Sequence, residues 1–432
     1  MRFSINLNKF TSISFSSMRI AILSDLHFGF ADNSELEGDS FENANEAIEK
    51  ALNADLVLVL GDIFDSRVPK TEVWARAIKT LVRPLLNESS GVKLVSVTKE
   101  MKEICKRTLQ HLPVVAIHGT HERRGRDETN AVETLENAGI LVHLDCQNAV
   151  FEKNGIKVAI HGMSGTPERF AKATLQQWNP QPMEGCFNIL LLHQSIDPYV
   201  YSPLDPPSLS VSNLPKGFDM IIDGHIHQHN QIKLGDTTLL FAGSTIVTQY
   251  EKNEAEVEKG IYILDINKEA KIEFISLEKN RKFFYEEIFV EGGRTKDLIE
   301  NRIEEILKNE FHKPPLIRIK IYGKEADVSG QDLRSLERKY FGRAILIFAK
   351  ELESPEIARK IEFLRALREQ KLSAEEMGLE VLKKNLDEFD FVPIFDYEHV
   401  FRLLGENEVD KAFNILIGEQ KTLENISRNK RQ

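Results

Sequence analysis

The sequence predicts an α/β fold in which central sheets are flanked by helices, followed by a small α+β unit and a helical tail. Short apolar runs without alternation recur through the first two thirds of the chain, as they do in strands covered on both faces. Helical patterns lie between the first few of these runs, which argues for sheets sandwiched by helices. Near Phe283 the style changes, and Ile317, Ile319 and Ile321 fall on one face with Arg318 and Lys320 on the other.

Residues 1–17 are Ser-rich and weakly basic, without the continuous apolar core of a signal peptide. They read as a disordered extension or a start placed too early, with Met18 the first structural residue. From Met18 to residue 282 the predicted strands are Arg19–Ser24, Asp55–Leu60, Pro113–His118, Val158–His161, Phe187–Leu192, Asp219–Asp223, Thr238–Ala242 and Gly260–Ile266. Phe41–Asn53, Glu72–Leu86 and Val97–Leu109 read as helices. In 283–350, strands at Phe284–Val290, Leu316–Ile321 and Ala344–Phe348 alternate with helices at Arg294–Glu310 and Gln331–Tyr340. Residues 351–372 are charged and lack a core pattern, as a linker does. The segment 373–420 holds three short amphipathic helices. Ser373 and Glu376 have capping-box spacing, Asp396 is placed to cap the second helix, and Val409–Ile417 is the third. Their small apolar faces suit docking onto a partner. A basic tail, 421–432, closes the chain.

The 432 residues leave room for two to four domains, and a 41% hydrophobic, 28% charged composition is that of a globular protein. No apolar run reaches the ~18 residues of a membrane span. Three cysteines, Cys105, Cys146 and Cys186, exclude a disulfide scaffold and a C-x-x-C zinc site, and fit a reducing cytoplasm. The net charge of −11 excludes a global basic footprint. Residues 18–282 carry 28 basic and 37 acidic side chains, and 283–432 carry 26 and 30. A polyanionic substrate therefore needs local basic patches or bound cations.

Nearly every strand of the first domain runs into a metal-type side chain. Ile20–Ser24 leads into Asp25-Leu26-His27, Leu56–Leu60 into Gly61-Asp62, and Val114–His118 into Gly119-Thr120-His121-Glu122. Ile189–Leu192 leads into His193, and Met220–Asp223 into Gly224-His225-Ile226-His227. Open α/β sheets place their sites at this carboxyl edge. In an extended segment, residues i and i+2 point the same way, so Asp25 with His27, and His225 with His227, are each expected to present two ligands to one centre. Carboxylates and imidazoles together suit Mn²⁺, Fe²⁺ or Zn²⁺ better than Mg²⁺. Any one of these residues alone has an ordinary structural explanation; five such elements in order do not arise easily by accident. His118, His161 and His229 lie near the motifs and read as packing or outer residues.

The ordered set D-x-H, G-D, G-[NT]-H-[DE], H and G-H-x-H resembles the calcineurin-like metallophosphoesterases over about residues 18–250. SDLHFG (24–29), GDIFDSRVP (61–69), LLLHQ (190–194), DGHIHQ (223–228) and AGSTIVT (242–248) are similar, more narrowly, to the double-strand-break repair nucleases of the Mre-eleven/SbcD family, archaeal type. That resemblance implies a metallophosphoesterase β-sandwich over 18–282, a DNA-binding cap over 283–350 and a partner-binding segment over 373–420. It implies two Mn²⁺ per subunit, one held by Asp25, His27 and His227, the other by His193 and His225, with Asp62 between them. His121 is implied to stabilise charge on the attacked phosphate or protonate the leaving oxygen.

The resemblance further implies exonuclease (3′–5′) and single-strand endonuclease activity at DNA breaks. It implies a homodimer through the helices at Glu72–Leu86 and Val97–Leu109, with Trp74, Ala77, Ile78 and Leu81 as the stripe. The implied partner is an SMC-like coiled-coil ATPase of the Rad-fifty/SbcC family, and the implied location is a prokaryotic cytoplasm near the nucleoid. One departure is Thr120, where the family usually has a ligating Asn; a hydroxyl is a weaker ligand on a shorter arm. Asp65 stands where many members carry His. Candidate contacts to DNA, on duplex ends or single strands, are Arg123, Arg124 and Arg126 beside His121, and Arg318, Lys320 and Arg343 on the cap. Two alternatives stay open: a phosphodiesterase for small nucleotides, and a repair scaffold whose metal site is impaired at Thr120.

Overall fold

The computed structural model describes residues 17–32, 34–125, 128–200, 208–267, 269–290, 294–323, 328–352, 363, 374–388, 396–405, 408–409 and 411–416. Arg126, Ser373, nearly all of the expected linker, the basic tail and the N-terminal extension up to residue 16 lie outside these. The described residues up to Leu352 form one compact unit and those beyond it a second.

In chain order the first unit begins with β1 (Met18–Leu23), α1 (Asp39–Ala51), β2 (Leu56–Leu60), α2 (Thr71–Leu81), β3 (Lys93–Val97), β4 (Val114–Ile117), α3 (Ala131–Asn137) and β5 (Val142–His143). It continues with β6 (Gln147–Lys153), β7 (Ile156–Gly162), α4 (Glu168–Trp178), β8 (Phe187–Leu192), β9 (Ile196–Asp197), β10 (Leu209–Ser210), β11 (Met220–Asp223), β12 (Asn230–Leu234) and β13 (Thr237–Phe241). Last come α5 (Lys252–Ala255), β14 (Gly260–Ile266), β15 (Ala270–Ser276), β16 (Phe283–Val290), α6 (Thr295–Ile306), β17 (Leu316–Gly323), α7 (Gly330–Tyr340) and β18 (Ile345–Leu352).

Two large sheets result, with strand orders β15-β14-β1-β2-β4-β5 and β12-β13-β11-β8-β7-β6-β3. Their inner faces share one core, in which Ile20, Ile22, Leu58 and Leu60 meet Ile160, Ile189, Leu191 and Ile222. The alternate residues Ala21, Leu23, Val57 and Val59 face outward and pack with Ala44 and Ile48 of α1, Val73 of α2 and Leu135 of α3. On the far side of the other sheet, Leu190, Leu192 and Ile221 pack with Ala171 and Leu175 of α4. This explains why β2 reads Leu-Val-Leu-Val-Leu: both faces are covered, and each side chain contributes about 1.5–3 kcal/mol by burial. The predicted fold class, mixed α/β sheets flanked by helices, is the one observed. Among the described helices, none is long and apolar enough to cross a membrane.

Strands β16, β17 and β18 form a separate parallel sheet. Ile317, Ile319 and Ile321 pack under α6 and α7 with Ile299, Ile303, Leu333 and Leu336. This small unit joins the sandwich at α1. Arg281 donates to Asp39 through Nε (2.5 Å) and Nη2 (3.0 Å), and Lys313 Nζ reaches Asp39 (3.0 Å) and Glu42 (2.9 Å).

Two predicted elements differ. The helix expected at Glu72–Leu86 ends at Leu81 and continues as a 3-10 turn over Arg83–Leu86, because Pro84 lacks an N–H and crowds the preceding turn. No helix forms at Val97–Leu109. Lys93–Val97 instead pairs with β6, followed by 3-10 turns at Met101–Glu103 and Lys106–Leu109. Val95, Val97 and Thr98 are β-branched, and strand pairing prevails over the helical spacing. Of the expected dimer stripe, Ala77 and Leu81 are core residues and Trp74 packs on Phe64 with ring centroids 4.5 Å apart, while Ile78 is exposed. With Ile78, Val68, Leu86, Val95 and Met101 are exposed apolar residues of this region.

In the second unit, helices span Ala374–Glu388 and Tyr397–Gly405. Asp396 caps the latter, its Oδ1 accepting from the His399 N–H at 3.0 Å.

Candidate metal centre

The strands β1, β2 and β4 run parallel in one sheet, and β8 and β11 run parallel in the other. Their carboxyl ends carry every residue expected at the site. The turns that follow are tight: Asp25 (φ 52°), His27 (φ 45°), Asp62 (φ 45°) and His225 (φ 63°) all occupy the left-handed region. For non-glycine residues this costs roughly 1–2 kcal/mol each, so the surrounding packing holds them there. Gly224 shows how close that packing is, since a Cβ on it would lie 2.4 Å from the Leu60 carbonyl oxygen and 2.7 Å from His193 Nδ1.

The turns produce two clusters. Asp25, His27 and His227 form one, and Asp62, His193 and His225 the other, each with its ligand atoms within 4.8 Å of one another. Asp25 and His27 share a cluster as expected, through left-handed rather than extended backbone, whereas His225 and His227 do not share one. The two imidazoles fall in different clusters, as the family resemblance implied.

Hydrogen bonds around the rim fix the imidazole tautomers. His27 Nδ1 bonds the Asp65 carboxylate (3.1 Å), His193 Nδ1 the Leu60 carbonyl (2.6 Å), and His227 Nδ1 the Glu254 carboxylate (3.3 Å). Each of these oxygens accepts, so each Nδ1 carries the proton and Nε2 presents a lone pair. His27 Nε2 and His227 Nε2 then face one another at 3.3 Å, with Asp25 Oδ1 at 3.8 and 3.4 Å from them. Asp25 Oδ1 and His193 Nε2 are buried without a hydrogen-bond partner. Asp25 Oδ1 is a buried acceptor without a donor, and the mixed carboxylate and imidazole set of each cluster fits a metal ion.

Comparison with known proteins agrees. The sequence model of the calcineurin-like phosphoesterases matches residues 18–229, a span that holds both clusters. Residues 18–229 belong to the calcineurin-like phosphoesterase family. The chain is also similar to double-strand break repair protein MRE11 of Arabidopsis thaliana, at 24% identity over 88% of this chain and 61% of that protein. The DNA double-strand break repair proteins Mre11 of Methanopyrus kandleri and Thermoplasma acidophilum are 22% and 27% identical over 74% of this chain, covering 67% and 81% of their own lengths. The chain thus spans less than two thirds of the plant relative.

Within the phosphoesterase centre, His121 stands beside the clusters. Its N–H donates to Asp62 Oδ1 (2.8 Å), its Nδ1–H donates to the Asp65 carbonyl (2.6 Å), and its ring lies edge-on to His27 at 4.9 Å. The Thr120 hydroxyl donates to Asp62 Oδ2 at 3.3 Å, so Thr120 touches the carboxylate that His193 Nε2 approaches at 3.2 Å. Without metal, burial opposes charge on His193, yet the Asp62 and Asp25 carboxylates raise it to about 10. Burial, then the charge on His193, hold His225 down at about 4.

The remaining predicted contacts are scattered. Arg123 Nη1 is buried without a hydrogen-bond partner, and Arg124 Nε lies 3.2 Å from Glu128. Arg318 holds the Tyr250 carbonyl (2.6 Å) and Glu251 (3.3 Å), and Arg343 reaches Glu304 at 3.4 Å. Lys320 is half-buried on the same sheet face as Arg318. His118 pairs with His143 (3.1 Å), His161 packs against Phe218, and His229 stacks on Phe274. Glu254 is an acid with a structural role that no motif signalled, and Asp65 and Glu122, though within motifs, had no such role assigned. Glu122 accepts from the Gly119 N–H (2.7 Å) and the Phe64 N–H (2.8 Å), tying together the two loops that carry Asp62 and His121.

Proposed function

We propose that the protein is a Mn²⁺-dependent DNA nuclease of double-strand-break repair, with exonuclease and endonuclease activity, working as a homodimer with a coiled-coil ATPase partner. The observation that carries the chemistry is the pair of converging acceptor clusters with His121 at their edge. Asp25, His27 and His227 would hold one ion and His193 and His225 the other, with Asp62 shared and Thr120 a weak ligand of the second. Two bound cations supply an acidified water and offset the charge of a phosphodiester.

The chain's own residues do the rest. The Asp65 carbonyl holds the His121 Nδ1–H, so a second proton on this ring sits on Nε2. That proton is donated to the leaving oxygen or to a non-bridging phosphate oxygen. His121 is 42% exposed at its side chain, which keeps it open to a large substrate. Arg123 and Arg124 follow directly and suit a phosphate further along the strand. The names of the Mre11 relatives support DNA repair as the setting. The two helices beyond Leu352 suit the partner, and the exposed Val68, Leu86, Val95 and Met101 suit the dimer contact.

The test is digestion of end-labelled duplex and single-stranded DNA with Mn²⁺, wild type beside Asp62→Ala and His121→Ala. Activity is expected in wild type only, with metal lost in Asp62→Ala and retained in His121→Ala. Wild-type protein that holds metal but cuts no DNA, with or without an ATPase partner, overturns the nuclease reading. Hydrolysis of small phosphodiesters by the same sample then points to a nucleotide phosphodiesterase, and inertness toward both points to a scaffold.

A further inference from the structure

His227 is held by more than its place in a motif. Its Nδ1 lies 3.3 Å from Glu254 Oε1 and 3.0 Å from the Thr248 hydroxyl. Glu254 is itself fixed: Oε1 accepts from Lys259 Nζ at 2.8 Å and Oε2 from the Gln249 N–H at 2.7 Å. Lys259 is fully buried, and its three donors go to Glu254, the Ser244 hydroxyl (2.8 Å) and the carbonyl oxygen of His227 (3.2 Å). One buried ion pair therefore grips His227 twice, at the ring and at the backbone. Both Glu254 and Lys259 lie beyond the residues that the phosphoesterase family model matches.

A buried ion pair is a poor source of stability, because the desolvation of both charges offsets their attraction. Ser244, Gln249 and His227 satisfy this one with geometry that serves His227. We propose that Glu254, anchored by Lys259, is a positioning residue for the metal ligand His227. It holds the proton on Nδ1, turns Nε2 toward Asp25 and His27, and makes the imidazole a stronger donor to a cation. Lys259 keeps Glu254 in place and fixes the His227 backbone. The inference rests on the two-metal reading of the site.

The test is Mn²⁺ titration by calorimetry on the full-length chain, comparing wild type, Glu254→Gln and the double variant Glu254→Gln/Lys259→Met. The double variant removes both charges and leaves no unpaired buried ion, so it covers the case in which the single variant does not fold. Thermal melting without metal is measured alongside. The expected result is 10- to 100-fold weaker binding at one of two sites, the other unchanged, in whichever variant folds. Two unaltered affinities in a folded variant overturn the proposal, even where its melting temperature has dropped, since that drop alone marks a structural role. Failure of wild type to bind Mn²⁺ overturns the two-metal reading instead, and this inference with it.

Discussion

Gly119 lies so close to Asp62 that a Cβ on it would stand 2.1 Å from Asp62 Oδ1 and 2.4 Å from the Asp62 N–H nitrogen. The carboxylate of the Asp62, His193 and His225 cluster is therefore set by the absence of a side chain on a different strand's turn. Gly119→Ala is expected to displace Asp62 and cost about 10²-fold in hydrolysis, the scale of a misplacement near 1 Å. Overpacking costs about 1–3 kcal/mol in stability, so the variant folds. Metal content and DNA digestion on one sample check this. Near-wild-type activity would show that Asp62 is not the shared carboxylate.

Thr120→Asn is expected to act in the opposite direction. The Thr120 hydroxyl already touches Asp62 Oδ2 at 3.3 Å. An amide oxygen on a longer arm reaches further into the Asp62, His193 and His225 cluster. Mn²⁺ affinity at that cluster should rise, and the rate at limiting metal with it. An unchanged affinity would mean that position 120 does not face the second ion.

His161 gives the protein an acid-side weakness unconnected with metal. It is buried against Phe218 and Trp178, and burial pushes it down from 6.5 to about 4. The unfolded chain takes up this proton below about pH 6.5 while the folded one resists it. The stability that His161 contributes is therefore complete above pH 6.5 and is lost as pH falls toward 4. At 1.36 kcal/mol per pH unit the loss approaches roughly 3 kcal/mol. His161→Phe should flatten that part of the profile. Urea unfolding at pH 7 and pH 4.5 measures it, and parallel profiles for variant and wild type would refute it.

The metal centre was legible because each of its residues directly follows an apolar strand, and buried parallel strands announce themselves by composition. Gly119-Thr120-His121-Glu122 showed a strand running into metal-type side chains, and the family resemblance gave Thr120 and His121 their expected roles. The geometry inside the turns was not legible. Left-handed backbone at Asp25, His27, Asp62 and His225 depends on close tertiary packing, such as that of Gly224 against Leu60 and His193, which local spacing does not show. Glu254 and Lys259 lie in a charged run, EKNEAEVEK, which reads as a solvated segment until tertiary packing buries two of its members. The edge strand β3 was missed for a related reason. Its half-exposed Lys-Leu-Val-Ser-Val becomes a strand only by pairing with β6.

Arg318 separates two readings of the small three-stranded unit. Its position on the open sheet face suits a DNA phosphate, yet its guanidinium bonds the Tyr250 carbonyl and Glu251. Those residues immediately precede α5, which carries Glu254, and Lys252 of the same helix bonds Glu287 of β16 at 2.9 Å. Arg318→Ala is thus expected to loosen the loop that holds His227, lowering Mn²⁺ affinity a few-fold at the Asp25 cluster. A phosphate contact predicts something else: weaker DNA binding and a salt dependence shallower by about one ion. Measuring Mn²⁺ affinity without DNA, and DNA affinity across a salt series with metal saturating, tells these apart. A changed salt slope with unchanged metal affinity would return Arg318 to the DNA surface and show that α5 holds its place without it.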